Sequence, residues 1–173
     1  SGAPGVVSSY PRRSSFGYEA KARRSARWCW RIAANLYLDT SSTLKLFLQE
    51  PGSPEVALLL ERSDRAWTSI VSWPEARGGL ARARRGNRLS DAEIVEALSV
   101  LADFWARTEI LDLPASTSIL AGDFASRFYL RGLDAIHLAS AVTLQRYLDE
   151  PVAFSAFDDR LLDAAEACGL VRG

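Results

Sequence analysis

Short, continuous apolar runs alternate along this chain with longer segments in which apolar residues recur every three or four positions. Leu36–Tyr37–Leu38 and the run 152–157 are rich in aliphatic and aromatic residues, which is typical of buried strands. The periodic segments indicate helices with one side facing the core. Predicted strands cover residues 36–39, 66–69, 110–113 and 152–154, and predicted helices cover residues 42–49, 55–62, a segment through 75 to about 85, 90–107, 116–130, 134–147 and 158–168.

This alternation predicts an α/β fold. Strands separated by helical segments indicate a mainly parallel central sheet with helices on both faces, because parallel neighbours need crossover connections. We therefore expect a three-layer α/β/α domain over residues 34–173. Residues 1–33 are rich in Ser, Gly, Pro and Arg and have no steady apolar period, which predicts a basic extension or linker.

The formal net charge of zero conceals an uneven distribution. Residues 1–33 hold seven Lys or Arg and one acidic residue, so residues 34–173 hold fourteen basic and twenty acidic residues, giving +6 and −6. An acidic domain can bind nucleic acid only through local basic patches or bound cations. The best local patch comprises Arg77, Arg82, Arg84, Arg85 and Arg88, for which a solvated surface is an equally good interpretation.

Several classes of protein are disfavoured by composition. A single histidine, His137, leaves a serine triad or a three-histidine zinc site without partners. Cys29 and Cys168 have no C-x-x-C spacing, so neither a disulfide framework nor a zinc site is indicated, and a reducing cytoplasm is expected. No apolar run approaches the roughly 20 residues that span a bilayer, so we expect no association with the membrane.

Four acidic residues share a position at the start or end of a predicted element: Asp39, Glu75, Asp134 and Asp158. Asp39 and Asp158 each end an apolar run and precede a helical segment, whereas Asp134 falls in the first turn of a helix, where negative charge suits the helix dipole. Ligand sites in parallel sheets lie outside the carboxyl ends of the strands. An α/β fold can gather such carboxylates into one pocket, and such a pocket holds hard divalent cations.

Three segments, in this order, resemble the motifs of PIN-domain ribonucleases, most closely the VapC-type toxins of bacterial toxin–antitoxin pairs. They are residues 38–47 (LDTSSTLKLF), 133–141 (LDAIHLASA) and 157–161 (FDDRL), and Glu75 looks like the glutamate that the family carries on a helix. One departure is Ala156, which stands where the family commonly has a small hydroxyl residue, with Ser155 one position earlier.

The resemblance implies a metal-dependent endoribonuclease in which those four acidic residues bind one or two Mg²⁺ or Mn²⁺ ions that activate the attacking water. It also implies products with a 5′-phosphate and a 3′-hydroxyl, an RNA substrate, an antitoxin protein as partner, and a homodimer. Residues 53–62 and 73–80 are candidate docking surfaces, although amphipathic helices more often face the core.

Five further residues are candidate contacts to the acidic residues or the substrate: Thr40, Ser41, Asp159, His137 and Arg77. For Thr40 and Ser41, helix capping is the main alternative. For His137 we favour a packing residue over a substrate contact, because a position on a helix rarely identifies a catalytic histidine. Asp158 is preferred to Asp159 as the metal-facing residue because it directly follows the apolar run.

Two other functions remain open from the sequence. Strand-end aspartates beside hydroxyl residues loosely fit a phosphoryl-transfer or receiver-like domain phosphorylated on Asp39 or Asp158. However, Lys45 is the only lysine after residue 33, whereas such folds often use one late in the chain. A PIN-like binding module without catalytic activity is the third possibility, although all four acidic positions are filled.

Overall fold

A computed structural model describes residues 34–48 and 50–173, which form five strands and seven helices. In chain order these are β1 (Asn35–Leu38), α1 (Thr40–Lys45), α2 (Ser53–Arg62), β2 (Arg65–Ser69), α3 (Ser72–Arg85), α4 (Asp91–Trp105), β3 (Glu109–Leu111), α5 (Ala115–Phe128), α6 (Gly132–Leu148), β4 (Val152–Ser155), α7 (Asp159–Ala167) and β5 (Val171–Arg172). The predicted basic extension, residues 1–33, lies outside the described residues.

The five strands form one parallel sheet in the order β3-β2-β1-β4-β5. Tyr37 in the central strand β1 lies opposite Trp67 of β2 and Phe154 of β4. The predicted parallel sheet is therefore confirmed. Strand β5 was not predicted, because two exposed residues after the turn at Gly169 are too few to show a periodic pattern.

Helices cover both faces of the sheet, which confirms the three-layer architecture. On one face Leu36 and Leu38 of β1 pack with Val56 of α2 and Phe104 of α4. On the other face Tyr37 packs in the core cluster formed with α5, α6 and α7. This alternation follows from the period of two along a strand, and both faces are apolar because both are covered.

Local capping signals explain where several helices begin. Ser90 and Glu93 form the predicted capping box at the start of α4, with each side chain bonded to the other residue's backbone N–H. The prediction that the first helix starts at residue 42 was wrong. Asp39 caps α1, so the helix begins at Thr40. Among the described helices, none combines the length and apolar character that crossing a membrane requires.

Candidate active site

The order of the strands reverses between β1 and β4, which makes the carboxyl edge there the topological switch point of the sheet. Strands β2 and β3 continue from β1 on one side, whereas β4 and β5 lie on the other, so β1 and β4 border the topological switch point. Ligand sites of open parallel sheets occur at this position. Asp39 directly follows β1, and Asp158 comes three residues after the end of β4.

Four helices begin at this edge, and each carries one of the predicted acidic residues in its cap or first turn. Asp39 caps α1, Glu75 lies in the first turn of α3, Asp134 lies in the first turn of α6, and Asp158 caps α7. The positive ends of the helix dipoles favour negative charge at these positions. The fold therefore brings four carboxylates to one edge while offsetting part of their repulsion.

Asp39 is buried and held by the start of its own helix. Ser42 N donates to Asp39 Oδ1 over 2.8 Å, and Ser41 Oγ donates to both carboxylate oxygens, over 2.8 Å and 2.9 Å. Burial raises the pKa of Asp39, while the nearby His137 and these hydrogen bonds oppose the rise. The structure thus places Ser41, one of the predicted contacts, against Asp39.

Glu75 is held by two residues of the predicted set. Thr40 Oγ1 donates to Glu75 Oε2 over 2.6 Å, and Nε2 of His137 lies 2.9 Å from the same oxygen. Partial burial acts to raise the pKa of Glu75, but the bonds to His137 and Thr40, with the positive charge of Arg82, hold it below its ordinary value. Glu75 is therefore ionised at neutral pH, and its carboxylate is held in one orientation.

His137 links this carboxylate to the interior. Its ring is 2% exposed, as the packing interpretation predicts, but both ring nitrogens are also hydrogen-bonded, which packing does not predict. Nδ1 lies 2.9 Å from the hydroxyl of Tyr37, a fully buried residue whose pKa is raised by burial. Because an ionised carboxylate only accepts, Nε2 carries a proton, and in the neutral ring Nδ1 accepts from Tyr37.

Asp134 and Asp158 face each other across the same edge. The pKa of Asp134 is raised by partial burial and then by the charge of Asp158, with Glu75 contributing and Arg131 opposing. Asp158 accepts from Leu161 N over 3.0 Å. Asp134 is therefore close enough to both Asp158 and Glu75 to feel their charges.

The remaining predicted contacts are exposed side chains. Asp159 lies 3.8 Å from Arg172 and lines the same surface cavity as Asp134 and Asp158. Arg77 is exposed and lies over the ring of Trp73. Next to the site, Ser155 Oγ and Ser42 Oγ are 2.9 Å apart, whereas Ala156 is buried without a hydroxyl group.

The donor chemistry fits a hard divalent cation, because every candidate ligand is a carboxylate. Within the described part of the chain, no three His, Cys, Asp or Glu side chains are close enough to hold an ion together. A hard divalent cation can be bound through one or two carboxylates while it keeps several waters, and acidic residues that line one edge without closing into a single cluster suit that mode of binding. Tyr37 is the residue that sequence reasoning missed. Its one signal was a phenol in a buried run, since a buried tyrosine hydroxyl usually has a hydrogen-bond partner.

Comparison with known proteins identifies the family of this chain. The family model for the PIN domain matches residues 36–167, and the chain belongs to the PIN-domain family. The chain is similar to the ribonucleases VapC45 and VapC49 of Mycobacterium tuberculosis. Each is 37% identical over 134 residues, which cover 78% of this chain and 91% of that protein.

Solved structures agree on the fold. The toxin VapC20 of M. tuberculosis, described as cleaving the sarcin-ricin loop, superposes with a TM-score of 0.57 at 17% identity. The match covers 80% of this chain and 98% of the VapC20 chain. VapBC2 from Rickettsia felis, bound to a DNA fragment of its promoter, gives a TM-score of 0.56 at 15% identity, with coverage of 80% and 97%.

Proposed function

We propose that this chain is a divalent-metal-dependent endoribonuclease and the toxin of a toxin–antitoxin pair. The observation that carries the proposal is the meeting of Asp39, Glu75, Asp134 and Asp158 at one sheet edge, each at the start of a helix. The similarity to VapC ribonucleases over most of the chain supports the same activity. RNA is the proposed substrate, with cleavage leaving a 5′-phosphate and a 3′-hydroxyl.

The four carboxylates would hold Mg²⁺ or Mn²⁺, directly or through water. When bound, the cation supplies Lewis-acid stabilisation of phosphate charge and makes a bound water more acidic. The protein's own contribution is orientation. Ser41 fixes Asp39, while Thr40 and His137 fix one oxygen of Glu75, so that these carboxylates keep their direction without the ion.

His137 is assigned an orienting role in this proposal. Its Nε2 proton is committed to Glu75, and its other nitrogen is paired with Tyr37 in the interior. The ring is therefore not free to take a proton from water or from a ribose hydroxyl. Cleavage then depends on the carboxylates and the cation, a route that needs no histidine.

An antitoxin protein and a second copy of the chain are the proposed partners. Support for the antitoxin comes from the likeness to VapC toxins and to the VapBC2 complex. Co-expression with the adjacent gene product, followed by size-exclusion chromatography with light scattering, tests both. A monomer that binds no such partner would contradict this part of the proposal.

The receiver-like alternative gains no support from membership of the PIN-domain family. It predicts retention of label from acetyl phosphate on Asp39 or Asp158. The catalytically silent alternative predicts binding of RNA without cleavage, so one cleavage assay separates it from the nuclease.

The test is cleavage of purified RNA by the full chain in Mg²⁺, in Mn²⁺ and in EDTA. We expect cleavage with either cation, none in EDTA, and loss of cleavage in Asp39→Asn. Asp103→Asn is the matched control, because it removes the same charge from an exposed side chain near the end of α4. Sequencing the 5′ ends then identifies the cut sites. Cleavage that survives EDTA or Asp39→Asn would overturn the proposed function.

A further inference from the structure

Tyr129 ends helix α5 in an unfavourable backbone conformation. Its φ and ψ are 55° and 40°, in the left-handed region. The other non-glycine residues of the described chain with positive φ are Asn87 and Asp149, residue types that enter this region readily, whereas a bulky aromatic residue does not. The ring of Tyr129 is 81% exposed, so burial does not compensate for the conformation. Such an outlier suggests a role for the side chain.

The ring of Tyr129 borders a cavity of about 470 Å³ beside the candidate metal site. The cavity, here called the edge cavity, joins two aromatic residues, two arginines and three aspartates, with Leu130 between them. Its lining residues are Tyr129, Leu130, Arg131, Asp134, Phe157, Asp158, Asp159 and Arg160. Two of these aspartates belong to the candidate active site, so a molecule in the edge cavity would adjoin the reacting phosphate.

The aromatic and basic residues of the edge cavity are held in place. Arg160 Nη1 donates to the backbone oxygen of Tyr129 over 3.1 Å, a bond that uses one of the five guanidinium N–H groups. Phe157 is 46% exposed, and its backbone N donates to Ser41 Oγ over 3.0 Å. Lys45 Nζ lies 4.4 Å from the Phe157 ring centroid. Lys45 therefore occupies one face of the Phe157 ring, so a ligand can stack only on its other face.

These features fit one chemical class of ligand. Nucleobases stack on exposed aromatic rings whatever their sequence, and arginine pairs with phosphate in a planar, bidentate geometry. A base can stack on a protein ring only when it is unpaired.

We propose that the edge cavity binds a single-stranded nucleotide next to the scissile phosphate. Its base stacks on Tyr129 and Phe157, and its flanking phosphate pairs with Arg131 and Arg160. This inference rests on the proposed ribonuclease function and adds which side chains hold the nucleotide beside the cut. The two arginines also offset the repulsion between RNA phosphates and the carboxylates of Asp134 and Asp158.

Tyr129→Gly provides the sharpest test, because ligand binding and fold stability should change in opposite senses. Glycine accepts the left-handed conformation, so we expect an unchanged or higher Tm. Loss of stacking should weaken binding of a fluorescein-labelled, single-stranded 12-nucleotide RNA in EDTA by roughly ten- to a hundredfold. The KM for its cleavage in Mn²⁺ should rise similarly, and Tyr129→Phe should restore both values.

Two control variants separate stacking from other effects. Tyr147→Ala removes an equally exposed tyrosine, 84% exposed, from the far end of α6, roughly 20 Å from Asp134 at 1.5 Å per residue. Asp149→Gly relieves the same backbone conformation there without removing a ring. Both should bind and cleave the RNA as wild type does, and the duplex form of the 12-mer should not compete.

The outcomes distinguish this inference from the proposed function. If wild type cleaves no RNA, the proposed function fails and the inference fails with it. If wild type cleaves but Tyr129→Gly binds and cleaves equally well, only the edge-cavity inference is overturned. Equal competition by the duplex, or loss of antitoxin binding with RNA binding intact, would also overturn it.

Discussion

Tyr37→Phe isolates one buried hydroxyl group at the base of the candidate active site. Phenylalanine keeps the ring that stacks on Phe154, with centroids 5.5 Å apart and planes at 10°, and keeps the edge contact to the His137 ring. The change removes the hydroxyl group that lies 2.9 Å from His137 Nδ1 and that also interacts with the side chains of Ser140 and Ser69. His137 Nδ1 would then be a buried acceptor that water cannot reach.

Leaving a buried polar group without its partner costs about 1–3 kcal/mol. For a chain of this size that corresponds to a fall in Tm of roughly 2 to 12 °C. Denaturant unfolding and a thermal scan measure the loss. Tyr147→Phe is the matched control, because that hydroxyl group is on an exposed side chain and its removal should change the unfolding free energy by no more than about 0.5 kcal/mol.

Imidazole nitrogen chemical shifts measured by NMR provide a second assay. In the wild type, His137 should be a single tautomer with the proton on Nε2, where it is donated to Glu75. In Tyr37→Phe the preference weakens, because Nδ1 no longer accepts from the phenol. A wild-type ring protonated on Nδ1 alone, or a stability loss no larger than that of Tyr147→Phe, would refute the reasoning.

Three further predictions concern the carboxylates. Mg²⁺ or Mn²⁺ should raise the Tm of the wild type and raise that of Asp39→Asn much less, whereas equal shifts would count against a shared metal site. In EDTA, the pKa values of Asp39 and Asp134 are raised in the folded protein, so protonation of these carboxyl groups favours the folded state. Their contribution to stability is complete below the ordinary Asp pKa of about 3.9 and is lost as the pH rises through their folded pKa values. Wild type should therefore lose unfolding free energy relative to Asp39→Asn as the pH rises from about 4 through the raised pKa of Asp39, and a constant difference between the two proteins would contradict this. Asp158→Asn should abolish RNA cleavage with little loss of stability, since asparagine also caps helices. Asp159→Asn should reduce cleavage far less, and the reverse order would reject the placement of Asp158.

Much of the architecture was predictable because its signals are local. The capping box at Ser90 and the apolar run before Asp39 each lie within a few neighbouring residues, and alternation of strands with helices indicates a parallel sheet. The errors were also local in origin. The first helix begins earlier than predicted because Asp39 caps it, and β5 is too short to leave a pattern.

The sequence by itself determined the helices, most of the strands, and the position of each acidic residue at the start or end of an element, because period and capping depend on adjacent residues. Only the tertiary structure decided which side chains meet. Tyr37 lies 100 residues from His137, which lies 62 residues from Glu75, and no local pattern joins them. Their contact arises because packing of α6 on β1 and of α3 beside α1 brings the three together, and such packing depends on the whole core.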